Sequence, residues 1–100
     1  MQNQVESFYL AGASWCPHTQ AALKDLQGSN ASVLGRDLNS VLTVLNCDTD
    51  NADHPACLTV HGFPAIVACN QFQQCNIVLD GYVPDYPGKT SNAIEYFLSH

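Results

Sequence analysis

The stretch Trp15-Cys16-Pro17-His18-Thr19 constrains this chain more than any other, because it makes a strand hand over to a helix at a cysteine. Upstream, Ser7-Phe8-Tyr9-Leu10-Ala11 reads as a buried strand, and Gly12-Ala13-Ser14 breaks it. Pro17 suits the first helical turn, where its missing N–H costs nothing and its fixed φ is already helical. Ala21, Ala22, Leu23 and Leu26 then recur at helical spacing, and Gly28 supplies a stop. Cys16 is thereby placed at a helix N-terminus, where unpaired N–H groups and the positive end of the helix dipole favour an anion. For a thiol that anion is the thiolate, the form that attacks disulfides.

These residues, Phe8 to Thr19, resemble the active-site turn of the thioredoxin superfamily, whose usual motif is Cys-x-x-Cys after a tryptophan. A second block, His61-Gly62-Phe63-Pro64-Ala65-Ile66-Val67, is similar to the Gly-aromatic-Pro-Thr segment in which that family keeps a cis-proline beside the catalytic cysteine. Cys47 and Cys57 resemble the extra cysteine pair of the thioredoxin-like domains fused to bacterial and plant homologues of vitamin K epoxide reductase. The resemblance implies a thioredoxin-like α/β fold with Cys16 as nucleophile. It also implies that the backbone of Phe63, beside Pro64, pairs with an extended substrate strand. The departure from the pattern is at Thr19, which stands where the second, resolving cysteine belongs.

One hundred residues, 46% of them hydrophobic, suffice for one domain, residues 1–100, with a modest core of its own. The longest apolar runs are too short to span a bilayer, and Met1 to Glu6 lacks the basic and apolar regions of a signal peptide. Cytoplasmic residence is the expectation from that absence; an exported or lumenal domain without its leader is the alternative. Lys24, Arg36 and Lys89 face nine acidic residues, and the net charge of −6 disfavours phosphate backbones and anionic lipid. A monomer with no nucleic-acid partner and no membrane insertion is expected.

Along the chain the order reads as a strand at 5–11, a helix at 16–27 and a looser stretch through Asn39. A mostly apolar, β-branched run at 41–47 suits a strand buried on both faces. An Asp/Asn-rich turn at 48–53 then leads into a short helix from Pro55 to Val60. Strands at 65–69 and 76–79, joined by the 70–74 turn, make a hairpin. Pro84 and Pro87 rule out helix until Thr90 or Ser91, either of which can cap a last helix with Ala93, Ile94, Phe97 and Leu98 as its buried stripe. The sum is βαβαββα, a central mixed sheet flanked by helices.

Five cysteines exceed what a typical cytosolic domain carries. With Cys16 at the candidate site, Cys47 with Cys57 and Cys69 with Cys75 either form disulfides or serve as small buried hydrophobes. Spacing alone leaves both open. Cys16, His18, Cys47, His54, Cys57 and His61 show no zinc-type spacing, so no metal is expected.

At the site, the helix terminus, a protonated His18 and partial exposure all favour a Cys16 thiolate. Thr19, one turn on, faces the same side and can donate its hydroxyl to the sulfur, but it cannot close an internal disulfide. Trp15 and Pro17 supply an apolar surface beside the thiol, and Phe63 with Pro64 seats the substrate. The expected activity is therefore a monothiol thiol–disulfide oxidoreductase acting on a cysteine-containing protein or on small thiols by reduction, isomerisation or deglutathionylation. No cofactor is required; glutathione can act as the resolving thiol. Glutaredoxins share Cys-Pro-x-x, yet their Thr-Val-Pro and glutathione-gripping Gly-Gly-Asp patch have no counterpart here. Two alternatives stand beside this reading: a redox-inactive thioredoxin-like module that binds peptides or proteins, and a Cys-x-x-Cys enzyme carrying an engineered Thr19.

Overall fold

Period-two alternation along the first strand sends Phe8 and Leu10 to one face of a sheet and Tyr9 and Ala11 to the other, so two cores form around it. The computed structural model describes residues 6–99; the sequence reading of residues 1–5, including the expected strand start at Val5, lies outside them. The elements are β1 (Ser7–Gly12), α1 (Pro17–Gln27), β2 (Ser32–Val33), β3 (Arg36–Asp37), α2 (Leu38–Val41), β4 (Leu42–Asn46), α3 (Pro55–Thr59), β5 (Ala65–Cys69), β6 (Cys75–Asp80) and α4 (Tyr86–Ser99).

Four strands form one mixed sheet in the order β4-β1-β5-β6. β1 runs parallel to β4 and antiparallel to β5, and β6 completes an antiparallel hairpin with β5. On one face Phe8, Leu10, Ile66 and Ala68 meet Ala22 and Leu26 of α1, Val33, Leu38, and Tyr86 and Ile94 of α4. On the other face Ala11, Leu45, Ala65 and Val67 meet Ala56 of α3, with both cysteine pairs at the margin. The expected mixed sheet flanked by helices is present.

Five expectations are corrected. The looser stretch before Asn39 holds a two-stranded hairpin, β2–β3, turning at Leu34 and Gly35 with φ of 50° and 82°. Two successive positive φ values define a turn normally signalled by Asn-Gly or Asp-Gly, so a leucine there hides it. The 41–47 strand is not buried on both faces. It begins at Leu42, pairs only with β1 and leaves Thr43 and Val44 exposed, because an apolar run does not reveal whether a strand ends at the sheet's edge.

The last helix starts at Tyr86, with Pro87 in its first turn, where a missing N–H is tolerated. Thr90 and Ser91 are buried within the helix rather than capping it. Leu98 is exposed, outside the expected stripe, while Ile94 carries the burial.

Candidate functional site

Cys16 is the N-cap of α1: its φ and ψ of −86° and 119° are extended, and its carbonyl accepts the first helical bond, from Gln20 N–H at 3.1 Å. The turn that delivers it is tight, with Cys16 N–H donating to the Ala13 carbonyl at 3.1 Å. Pro17 follows in the first turn, exposed. The helix then buries Thr19, Ala22 and Leu26, one face at spacings of three and four.

Thr19 is 3% exposed, and its hydroxyl oxygen accepts from Ala13 N–H at 3.3 Å. Gly12 makes room for it: a Cβ at residue 12 would collide with Thr19 Cγ2. Thr19 therefore fills the helical position one turn from the sulfur, on the sulfur's side.

The thiol of Cys16 is held below its ordinary range. The backbone N–H of Thr19 is the largest cause; burial opposes it, and the Thr19 hydroxyl and the His18 N–H add to the lowering. His18 thus acts on the sulfur through its main chain. Its ring is stacked on Tyr82, centroids 6.1 Å apart, and the Tyr82 hydroxyl donates to Asp25 at 2.6 Å. The sequence expectation places the effect in the imidazole ring; the structure adds a contribution from the His18 main chain and stacks the ring on Tyr82.

Partial exposure was also expected, whereas Cys16 is buried, 7% exposed. The covering comes from the second block. The Phe63–Pro64 bond is cis, Pro64 is buried, and Cys16 Sγ–H donates to the Phe63 carbonyl at 3.8 Å. Only the protonated thiol can make that contact, since a carbonyl does not donate. Trp15 is 66% exposed and packs edge-to-face on Phe63, with centroids 6.3 Å apart and planes at 80°.

The fold thus brings Trp15, Cys16, Pro17, His18 and Thr19 to one end of the sheet together with Phe63 and Pro64. Asp48 is the residue that sequence reasoning missed. It follows β4, and its carboxylate accepts from both the N–H and the hydroxyl of Ser14, whose carbonyl in turn accepts from Gln20 Nε2 at 2.8 Å. An Asp in an Asp/Asn-rich turn carries no signal for a contact 34 residues away.

Cys47 is bridged to Cys57 and Cys69 to Cys75, leaving Cys16 as the free thiol. The Cys47 N–H donates to the Gly12 carbonyl at 2.8 Å, which brings the first bridge to the same end of the sheet as Cys16. Among the described residues no group of three or more His, Cys, Asp or Glu is arranged to hold a metal ion. Two surface clefts lie apart from the thiol, one lined by Phe8, Val33, Arg36 and Thr43 and the other by Asp25, Gly28, Asp85 and Gly88. A lowered thiol at a helix terminus, covered by the Phe63 carbonyl and bordered by exposed Trp15, has electrostatics that favour its thiolate. Compared with protein-family models, curated proteins and solved structures, the chain finds no match.

Proposed function

We propose that this chain is a thioredoxin-like domain that works as a monothiol thiol–disulfide oxidoreductase, with the Cys16 thiolate as nucleophile. The observation that carries the reading is the meeting of Cys16 Sγ, at the N-terminus of α1, with the Phe63 carbonyl just before Pro64. Two sequence blocks 47 residues apart converge on one sulfur. The strand order β4-β1-β5-β6, with a parallel β1–β4 pair and antiparallel β5 and β6, supports the fold resemblance.

In the proposed reaction the Cys16 thiolate attacks one sulfur of a substrate disulfide. A bond forms between Cys16 Sγ and that sulfur; the second substrate sulfur leaves with the electron pair and takes a proton from water. The Thr19 hydroxyl and the N–H groups of the first helical turn hold the thiolate before attack. Thr19 has no sulfur to resolve the mixed disulfide, so a second thiol must do it: the substrate's own, a partner protein's, or glutathione. Phe63 and Pro64 seat the substrate chain, and Trp15 and Pro17 border it.

The two bridges support an oxidising compartment, where such pairs persist, over the cytoplasmic expectation. Among the described residues no helix is long and apolar enough to cross a membrane. A second reading, a redox-inactive module that binds polypeptides, is favoured by one pair of facts: Cys16 is covered while Trp15 beside it is open.

One experiment separates the two. The alkylation rate of Cys16 is followed against pH by peptide mass spectrometry, in protein with both bridges intact. A midpoint below the free-thiol value of about 8.5 supports the oxidoreductase. A midpoint at or above it, or no reaction in the folded protein, leaves the binding module.

A further inference from the structure

Charge around the Cys16 end of the sheet is distributed unlike charge on the rest of the chain. The register Gly12↔Asn46 and Ala11↔Ala65↔Asp80 aligns the end of β1 with the end of β4, the start of β5 and the end of β6. Cys16 follows the end of β1, and Phe63-Pro64 precedes β5. Beyond β4, on one flank, the turn carries Asp48, Asp50 and Asp53; on the other flank Asp80 closes β6. All four are exposed.

Two of the three basic residues lie elsewhere. Lys24 is in the last turn of α1, eight residues and therefore about 12 Å down the axis from Cys16. Arg36 lies in β3, ahead of α2 and the start of β4, toward the far end of the sheet. Lys89 is in the first turn of α4, whose Tyr86 packs on Tyr82 and through it on His18, so it stands as a single cation against the four carboxylates. Carboxylates thus stand on both flanks of the sheet end that carries the thiol, with exposed Trp15 packed on Phe63 between them. An aromatic centre with a rim of one sign is the pattern of a surface that selects a partner of opposite charge.

We propose that the Cys16 site acts on a cationic polypeptide, one whose reactive cysteine is flanked by an apolar residue and by lysine or arginine, and discriminates against anionic thiols such as glutathione. This rests on the reading of Cys16 as a nucleophile. The apolar residue covers Trp15, the flanking cations lie toward the Asp50/Asp53 and Asp80 sides, and the chain's charge of −6 draws the partner in before contact. Chemically the step is the exchange already described: the Cys16–substrate S–S bond forms as the substrate's own S–S bond breaks, and the departing sulfur takes a proton from water.

The test measures the rate of mixed-disulfide formation at Cys16 with symmetric disulfides of three short peptides sharing one Cys-Leu core, flanked by Lys, by Glu or by neutral Gln. Glutathione disulfide and cystamine serve as small anionic and cationic probes. Each is run at low and at 0.5 M salt, on the wild type and on Asp50→Asn/Asp53→Asn/Asp80→Asn, which leaves Ser14, Asp48 and the thiol untouched. The proposal expects the Lys-flanked peptide to react about fivefold or more faster than the Glu-flanked one at low salt, the ratio falling toward one at high salt or in the triple variant. Cystamine should trail the Lys-flanked peptide, having nothing to place on Trp15. Equal rates for the charged peptides, a preference that survives the triple variant, or cystamine as fast as the peptide overturns the proposal. Silence of wild-type Cys16 toward the neutral peptide overturns the nucleophile reading beneath it.

Discussion

Both carboxylate oxygens of Asp48 accept from Ser14, Oδ2 from the hydroxyl at 2.6 Å and Oδ1 from the backbone N–H at 3.2 Å. Ser14 precedes Cys16 by two residues and Asp48 directly follows the bridged Cys47, so one carboxylate joins the thiol's loop to the first disulfide. The Ser14 hydroxyl, then its N–H, hold the Asp48 carboxyl below the ordinary carboxylate range. Because the folded value is lowered, the contact stabilises fully above the ordinary carboxylate pKa, and the contribution is lost as pH falls through the folded value. Urea unfolding of the wild type and Asp48→Asn should therefore differ most at neutral pH and converge in acid. A gap constant across pH would show that the charge of Asp48 contributes nothing.

Thr19 offers two substitutions with opposite readouts. Thr19→Val keeps the shape beside Gly12 but removes the hydroxyl from the sulfur. The alkylation midpoint of Cys16 should rise, with the neutral-pH rate falling roughly tenfold, as for one hydrogen bond to a charged group. Thr19→Cys supplies a thiol one turn from Cys16 and should release a trapped mixed disulfide by closing an internal bridge. A mixed disulfide equally long-lived in Thr19→Cys would argue against the monothiol account.

A methyl group at Gly12 has no room: it would collide with Thr19 Cγ2 and lie 3.1 Å from Thr19 Oγ1. Gly12→Ala should lower unfolding stability by about 1–3 kcal/mol, the range for overpacking a filled interior. It should also displace Thr19, so its denaturation midpoint and the Cys16 alkylation midpoint move together. A stable variant with an altered thiol, or the reverse, would separate the two effects.

The Cys47–Cys57 bridge closes a segment with a sequence separation of 10. Cys47→Ala/Cys57→Ala should cost about 2–3 kcal/mol by loop-closure entropy, read as a lower guanidinium midpoint. A slightly steeper slope would accord with a freed unfolded chain, whereas an unchanged midpoint would show that the bridge contributes nothing.

Elements marked by special residues were the legible ones. Pro17 and Gly28 bracket α1, Pro55 opens α3, and Asn70 turns the β5–β6 hairpin by accepting from the N–H groups of Phe72 and Gln74. The β2–β3 hairpin was not legible, because Leu34 occupies a left-handed position without the side chain that advertises one. The edge position of β4 is a tertiary fact, settled by which strand lies beside which. Cys16 as N-cap could be read locally from Pro17. The Phe63 carbonyl above it came only from the resemblance, and Asp48 came from neither, since its partner is set by the parallel pairing of β1 with β4.

The two faces of the sheet are held by different means. The α1/α4 face buries large side chains, among them Leu10, Leu26, Ile66, Tyr86 and Ile94, whereas the α3 face has only Leu45 and Val67 among Ala11, Ala56 and Ala65, beneath a helix of five residues and two cysteine bridges. Amide exchange would resolve them as separate cooperative units. With the bridges intact both should exchange slowly; once they are reduced, the α3 side is expected to open ahead of the α1 side. The electron supply around the chain would thereby set which half of it breathes.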